Sequence, residues 1–190
     1  MPSSADTAVA ALLQRAAAEV ADAWKRIGSA PITLIDGRSG SGKSTLAADL
    51  VRRSAGDVQL VALDDLYPGW DGLEAGVDEA LLRVIAPHAA GDRGRWRRWD
   101  WVRGAWAEEH TIDPARPLLV EGAGVLDERT AALADVSVWL ESPASSRKRR
   151  ALGRDGDTYR PHWEQWARQE DAHLAAHRPA ALATLTFAVP

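Results

Sequence analysis

A lysine and a serine set directly after a glycine-rich turn can hold a polyphosphate, and residues Gly37 to Thr45 (GRSGSGKST) have that arrangement. The spacing fits Gly-x-x-x-x-Gly-Lys-[Ser/Thr] through Gly37, Gly42, Lys43 and Ser44. Glycine tolerates positive φ and has no Cβ to obstruct an approaching phosphate. The amides from Ser39 through Gly40, Ser41 and Gly42 to Ser44 would converge on phosphate oxygens, with Arg38 and Thr45 flanking them. Lys43 is expected to reach the β- and γ-phosphates, and the Ser44 hydroxyl to join a Mg²⁺ shell. An ordinary glycine-rich turn is the plainer alternative. The full pattern, lying between an apolar run (Ile32 to Ile35) and a helix-forming run (Leu46 to Arg53), favours a nucleoside triphosphate.

Other charged residues fall where a phosphate site could use them. Asp64 and Asp65 end the apolar run Val58 to Leu63, where they could act on a ligand or simply cap a turn. Glu121 follows Leu118, Leu119 and Val120, so an unpartnered carboxylate there would be costly. A metal-bound water shell beside Ser44 would satisfy it, and so would a neighbouring arginine. Arg147, Arg150 and Arg154 recur at i, i+3 and i+7, on one face of a helix. They could clamp phosphate charge or form a solvated basic face. Gly153 and Gly156 could give that segment hinge freedom.

These residues need elements to position them. Val9, Leu12, Leu13, Ala16, Val20 and Trp24 recur at helical spacing, which predicts an amphipathic N-terminal helix within residues 1–28. Short strands are predicted at Ile32 to Ile35, Val58 to Leu63, Pro117 to Val120, Val136 to Leu140 and Leu182 to Val189. Helices are expected from about Ser44 to Arg53, around Asp78 to Ile85, at about 145–160, and from Trp163 to His177. The segment Gly91 to Gly104 (GDRGRWRRWDWVRG) has no helical stripe, and Pro68 to Gly72 reads as a loop over the site. Strands alternating with helices over 1–190 predict a single α/β domain. Its core would be a doubly wound parallel sheet of about five strands with helices on both faces. Ligands bind such sheets at the carboxyl ends of the strands, where the loop, Asp64 and Glu121 all fall.

Composition narrows the class. At 190 residues the chain can bury a sizeable core. A net charge of −4 does not favour nucleic acid. The absence of cysteine removes disulfides, thiol catalysis and Cys-ligated zinc. No membrane span or leader pattern is seen, so a cytoplasmic location is expected. Nine Trp beside one Phe and two Tyr suggests ring stacking somewhere, although several must be core. His173 and His177, at i and i+4, are expected on the surface.

The chain contains no asparagine, hence no Asn-Lys-x-Asp guanine reader, and it lacks the signature of transporter ATPases. With its P-loop, it resembles the uridine kinase family, relatives of which include phosphoribulokinase and pantothenate kinase. Asp64-Asp65-Leu66-Tyr67 is similar to the family's Asp-x-Phe-Tyr segment, Trp99-Asp100-Trp101 to its Tyr-Asp-Phe, and Val120-Glu121-Gly122 to its apolar-Glu-Gly strand end. The segment from Arg147 to Asp155 resembles its Arg-rich lid. The resemblance covers about residues 30 to 190.

It implies a P-loop NTPase fold and an ATP- and Mg²⁺-dependent kinase of a small hydroxylated molecule. Asp64 would be the base near the metal, with Ser44 and Glu121 as its other anchors. Lys43 and Arg150 would act in transfer, and Arg147, Arg150 and Arg154 on the nucleotide. Tyr67, Asp71, Trp99 and Trp101 would face the acceptor. Gly104 stands where the family places a base-reading His, so the acceptor is expected to differ from uridine. A non-nucleoside alcohol, or a nucleotide-driven regulator without kinase activity, are the alternatives, and homo-oligomerisation stays open.

Overall fold

The computed structural model describes residues 4–55 and 57–190. Helix α1 (Ser4–Ile27) leads into β1 (Ile32–Asp36), the glycine-rich loop and α2 (Lys43–Arg53). Then come β2 (Gln59–Ala62), a single 3-10 turn at Leu63–Asp65, and α3 (Leu73–Ala80). A π-turn at Leu81–Ile85 carries α3 into α4 (Ala86–Ala89). The hairpin β3 (Gly94–Asp100) and β4 (Ala105–Ile112) follows, then β5 (Leu118–Glu121), α5 (Glu128–Ala131) and β6 (Val136–Glu141). Helices α6 (Ala144–Tyr159), α7 (Trp163–His177) and α8 (Pro179–Leu182) precede the last strand, β7 (Leu185–Ala188).

The main sheet has the order β2-β5-β1-β6-β7, and all its pairings are parallel. Both faces are apolar because the pleat sends alternate residues to opposite sides. Ile32, Leu34, Leu118 and Val120 pack with Val77, Val84, Tyr67 and Trp166. Ile35, Leu119, Val136 and Val138 pack with α2 and with Leu13, Ala16, Ala17 and Val20 of α1. The apolar stripe of α1 thus covers one face, and α3, α7 and the hairpin cover the other. Among the described residues no helix is long and apolar enough to cross a membrane.

The five predicted strands are all present. The hairpin was not predicted: the segment Gly91 to Gly104 contains its first strand and its turn, and that strand pairs with β4 with a bulge between Arg97 and Trp99. Its alternation is carried by Arg and Trp rather than by β-branched residues, because much of the ribbon faces water. Arg95 pairs with Glu109 and Arg98 with Glu108 across it.

Candidate active site

In this order β1 lies between β5 and β6, and the carboxyl ends of β1, β2 and β5 meet at one edge of the sheet. There the glycine-rich loop rises from Asp36, Glu121 ends β5, and Asp64 sits in the turn after β2. Asp36 anchors the edge. Its buried carboxylate accepts the amides of Gly37 (2.6 Å), Gly124 (2.9 Å) and Leu126 (2.9 Å). Burial holds its carboxyl above the usual range despite those bonds.

A cavity of about 240 Å³ follows the loop and is lined by Gly40, Gly42, Lys43, Ser44, Thr45 and Glu121, among others. The 11-residue α2 starts at Lys43 and aims its amino end at this space. Gly42 caps it at φ 108°, a conformation that favours glycine. Burial pushes the Glu121 carboxyl up, while Lys43 and a hydrogen bond from Ser44 pull it down. Lys43 itself is 9% exposed, with Nζ 3.4 Å from the Arg38 carbonyl.

A second cavity of about 530 Å³ adjoins the first. Five rings wall it: Tyr67, Trp70, Trp101, Tyr159 and Trp166. The polar ends of two of them are turned into the protein. Tyr67 donates to the Ala123 carbonyl (2.8 Å), and Trp101 Nε1 to the Asp64 carbonyl (2.8 Å). Ser39, Asp64, Arg154 and Trp166 line both cavities. Asp64 thus stands on the wall between the P-loop cavity and the ring-walled one. Its neighbour Asp65 is half-buried, and its carboxyl is raised by burial and by Asp64.

No protein-family model matches the sequence, and neither does any curated protein. Solved structures do. A "Possible Uridine Kinase" from Bacillus stearothermophilus is similar over 94% of this chain and 98% of its own, with a TM-score of 0.67 at 18% identity. A "putative fructose transport system kinase" from Silicibacter sp. TM1040 is similar over 92% and 98%, with a TM-score of 0.59 at 22% identity. The chain shares the fold of these two structures, a five-strand parallel sheet flanked by helices.

Within that fold, several residues stand elsewhere than the sequence suggested. Arg38 turns away from the P-loop cavity to α7, where it meets Glu170 (3.0 Å), Asp171 (2.7 Å) and the Ala167 carbonyl (3.3 Å). Two loop amides are already engaged: Ser39 N–H donates to Glu170 (2.7 Å) and Ser41 N–H to the Arg38 carbonyl (3.0 Å). Gly37 and Ser41 stay behind the cavity, and Ser41 is fully buried.

The arginines divide their work. Arg147 is buried and donates to the Ser142 (3.0 Å) and Ser39 (3.2 Å) carbonyls, so it braces the P-loop and does not face phosphate. Arg150 lines the P-loop cavity while donating to Gly40 O (2.8 Å) and Pro190 O (2.6 Å). Arg154 reaches both cavities, its guanidinium paired with Asp155 at 2.7 Å. Helix α6 breaks at Gly156 (φ 54°, ψ −129°), inside the segment expected to be a lid.

On the acceptor side, Asp71 is exposed and holds Gln165 (2.6 Å), outside the cavity. Trp99 packs edge-on against Trp106 across the hairpin and does not line the cavity. Trp101 does line it. Gly104 is at the hairpin tip, exposed, with open space around it. Sequence reasoning missed Trp70, the hub of the ring wall, which stacks on His162 (4.3 Å) and Tyr159 (5.4 Å). It also missed Trp166 and Glu170. Their signal was the buried stripe of α7, legible only once that helix is placed over the P-loop. His173 is not a surface residue: its side chain is 8% exposed, and Nε2 lies 3.0 Å from the Leu126 carbonyl.

Proposed function

We propose that this protein is a magnesium- and ATP-dependent kinase that transfers a phosphoryl group to the hydroxyl of a small molecule. The observation that carries the reading is Asp64, on the shared wall between the P-loop cavity and the ring-walled one. Phosphoryl transfer demands this juxtaposition, with a donor polyphosphate on one side, an alcohol on the other, and a carboxylate between them to take the hydroxyl proton. The P-loop amides and Lys43 would hold the donor phosphates, and Arg150 and Arg154 would face the charge that spreads over the transferred group. Ser44, Glu121 and Asp64 suit Mg²⁺, an ion bound through one or two carboxylates with water and phosphate completing its shell. The Ser44 hydrogen bond to Glu121 and the raised Glu121 carboxyl describe an acidic group whose burial a cation would offset. When bound, the ion would neutralise phosphate charge.

The names of the two similar structures point to a nucleoside or a sugar as the hydroxyl carrier. The ring-walled cavity fits an acceptor with a planar group, held by stacking more than by hydrogen bonds. We place the enzyme in the cytoplasm, where its donor is supplied.

The test is ADP release across a panel of nucleosides, sugars and other alcohols, repeated with Asp64→Asn. Turnover should rise sharply with one class of alcohol. The variant should lose about 10²–10⁴-fold in kcat with little change in KM for ATP. ATP turnover that no alcohol stimulates would sink the kinase reading and leave a nucleotide-driven switch.

A further inference from the structure

Helix α7 touches both halves of the site through adjacent residues. Glu170, 3% exposed, accepts the Ser39 N–H (2.7 Å) and Arg38 Nε (3.0 Å) of the P-loop. Gln169 donates to the Trp70 carbonyl (2.7 Å) and accepts from Leu73 N–H (3.2 Å), on the segment that supplies the ring wall. One turn earlier, Trp166 lies on the wall of both cavities.

The two grips differ in stiffness. A buried carboxylate held by a guanidinium and an amide cannot slip without stranding a charge away from water. A displacement of α7 is therefore passed to the P-loop instead of being absorbed beside it. The engaged amide is that of Ser39, which lines both cavities, and Gly40 and the residues from Gly42 to Thr45 continue the wall of the P-loop cavity. Glu170 thus sets where the loop stands at the junction of the two spaces.

We propose that α7 couples the two cavities, with Glu170 as the positioning residue on the nucleotide side and Gln169 on the acceptor side. An alcohol that seats the Trp70 to Leu73 segment tightens nucleotide binding, and the nucleotide steadies that segment in return. Such coupling is reciprocal by linkage and typically amounts to about 5–150-fold in affinity. The proposal rests on the kinase reading for the names of the two ligands.

The experiment needs no known acceptor. A non-hydrolysable ATP analogue with Mg²⁺ is titrated calorimetrically into wild type, Gln169→Ala, Glu170→Gln, Glu170→Asp and the Gln169→Ala/Glu170→Gln double variant. Amide exchange at Leu73 is followed with and without the analogue. Gln169→Ala should weaken the analogue about fivefold, Glu170→Gln about tenfold, and the double variant by less than the product, as expected of residues acting through one element. The analogue should slow exchange at Leu73 in wild type, and should fail to do so in Glu170→Gln even at saturation. Glu170→Asp should recover part of both effects, and it replaces Glu170→Gln if that variant does not fold. Unchanged affinity in Gln169→Ala, or undiminished protection of Leu73 in the Glu170 variant at saturation, overturns the coupling. A protein with both effects that phosphorylates no alcohol keeps the coupling and loses the kinase reading; an active kinase with neither does the reverse.

Discussion

Burial raises the carboxyls of both Asp36 and Glu121 at the sheet edge, and their partners set them different tasks. Glu121 is buried at the end of β5, and burial outweighs the pull of Lys43 and Ser44, so its carboxyl titrates above the ordinary range. In that case the folded state binds more protons than the unfolded one, and stability falls as pH rises from the ordinary glutamate value through the folded one. Glu121→Gln should therefore be more thermostable than wild type without ligand. The gap in Tm should widen as pH rises from the ordinary glutamate value, while Mg²⁺-ATP stabilises the variant less than wild type. A gap that closes with rising pH would mean that Glu121 is paired well enough to prefer its charge. Lys43 is nearly buried, so truncation to Ala would confound charge with packing. Lys43→Met keeps most of the stem. It should fold with a Tm near wild type and lose about 10²–10³-fold in kcat, the usual loss when one donor to a developing charge is removed. Near-normal turnover in that variant would refute the assigned role. Asp65→Asn should be milder than Asp64→Asn, because Asp65 lies outside both cavities.

Elements meet most tightly where α6 crosses the P-loop. A Cβ on Gly40 would stand 2.2 Å from the Arg147 carbonyl oxygen, and Gly40 already has φ +80°. Gly40→Ala is therefore expected to cost about 1–3 kcal/mol in backbone strain alone, with Tm falling roughly 2–4 °C per kcal/mol in a chain of this size. ATP affinity should fall with it, since the loop and α6 must part; a wild-type Tm and affinity would show that this contact is loose. The arginine face of α6 was legible as a face, because i, i+3 and i+7 spacing is geometry. Its division into a brace (Arg147) and cavity-lining residues (Arg150, Arg154) was not, since that depends on how deep the helix lies on the loop. The hairpin escaped for a related reason: the Arg-Trp alternation of its first strand is broken by the bulge between Arg97 and Trp99, and its cross-strand partners at 105–112 lie beyond a turn with no strong hairpin signature.

Across the whole molecule, what could be foreseen was whatever local sequence dictates: five strands, the loop after the first, and carboxylates at strand ends. What could not was whatever depends on long-range approach, such as Trp70 meeting Tyr159 and His162, or Glu170 reaching back over 131 residues to Ser39. Three of the nine tryptophans wall a single cavity, so an acceptor should quench intrinsic emission. Trp101→Leu should remove much of that change and Trp99→Leu little of it, because Trp99 is spent on Trp106. The reverse ranking would return Trp99 to the acceptor site. No strand of the parallel sheet contributes to that cavity's wall; its residues come from the P-loop, the turn and loop after β2, the hairpin turn, α6 and α7. Four of those residues, Ser39, Asp64, Arg154 and Trp166, also belong to the P-loop cavity and are tied to it, whereas Tyr67, Trp70, Trp101 and Tyr159 belong to the ring wall alone. Under the kinase reading proposed above, a descendant of this chain would change its alcohol by drift in those rings, with the residues common to both spaces held fixed.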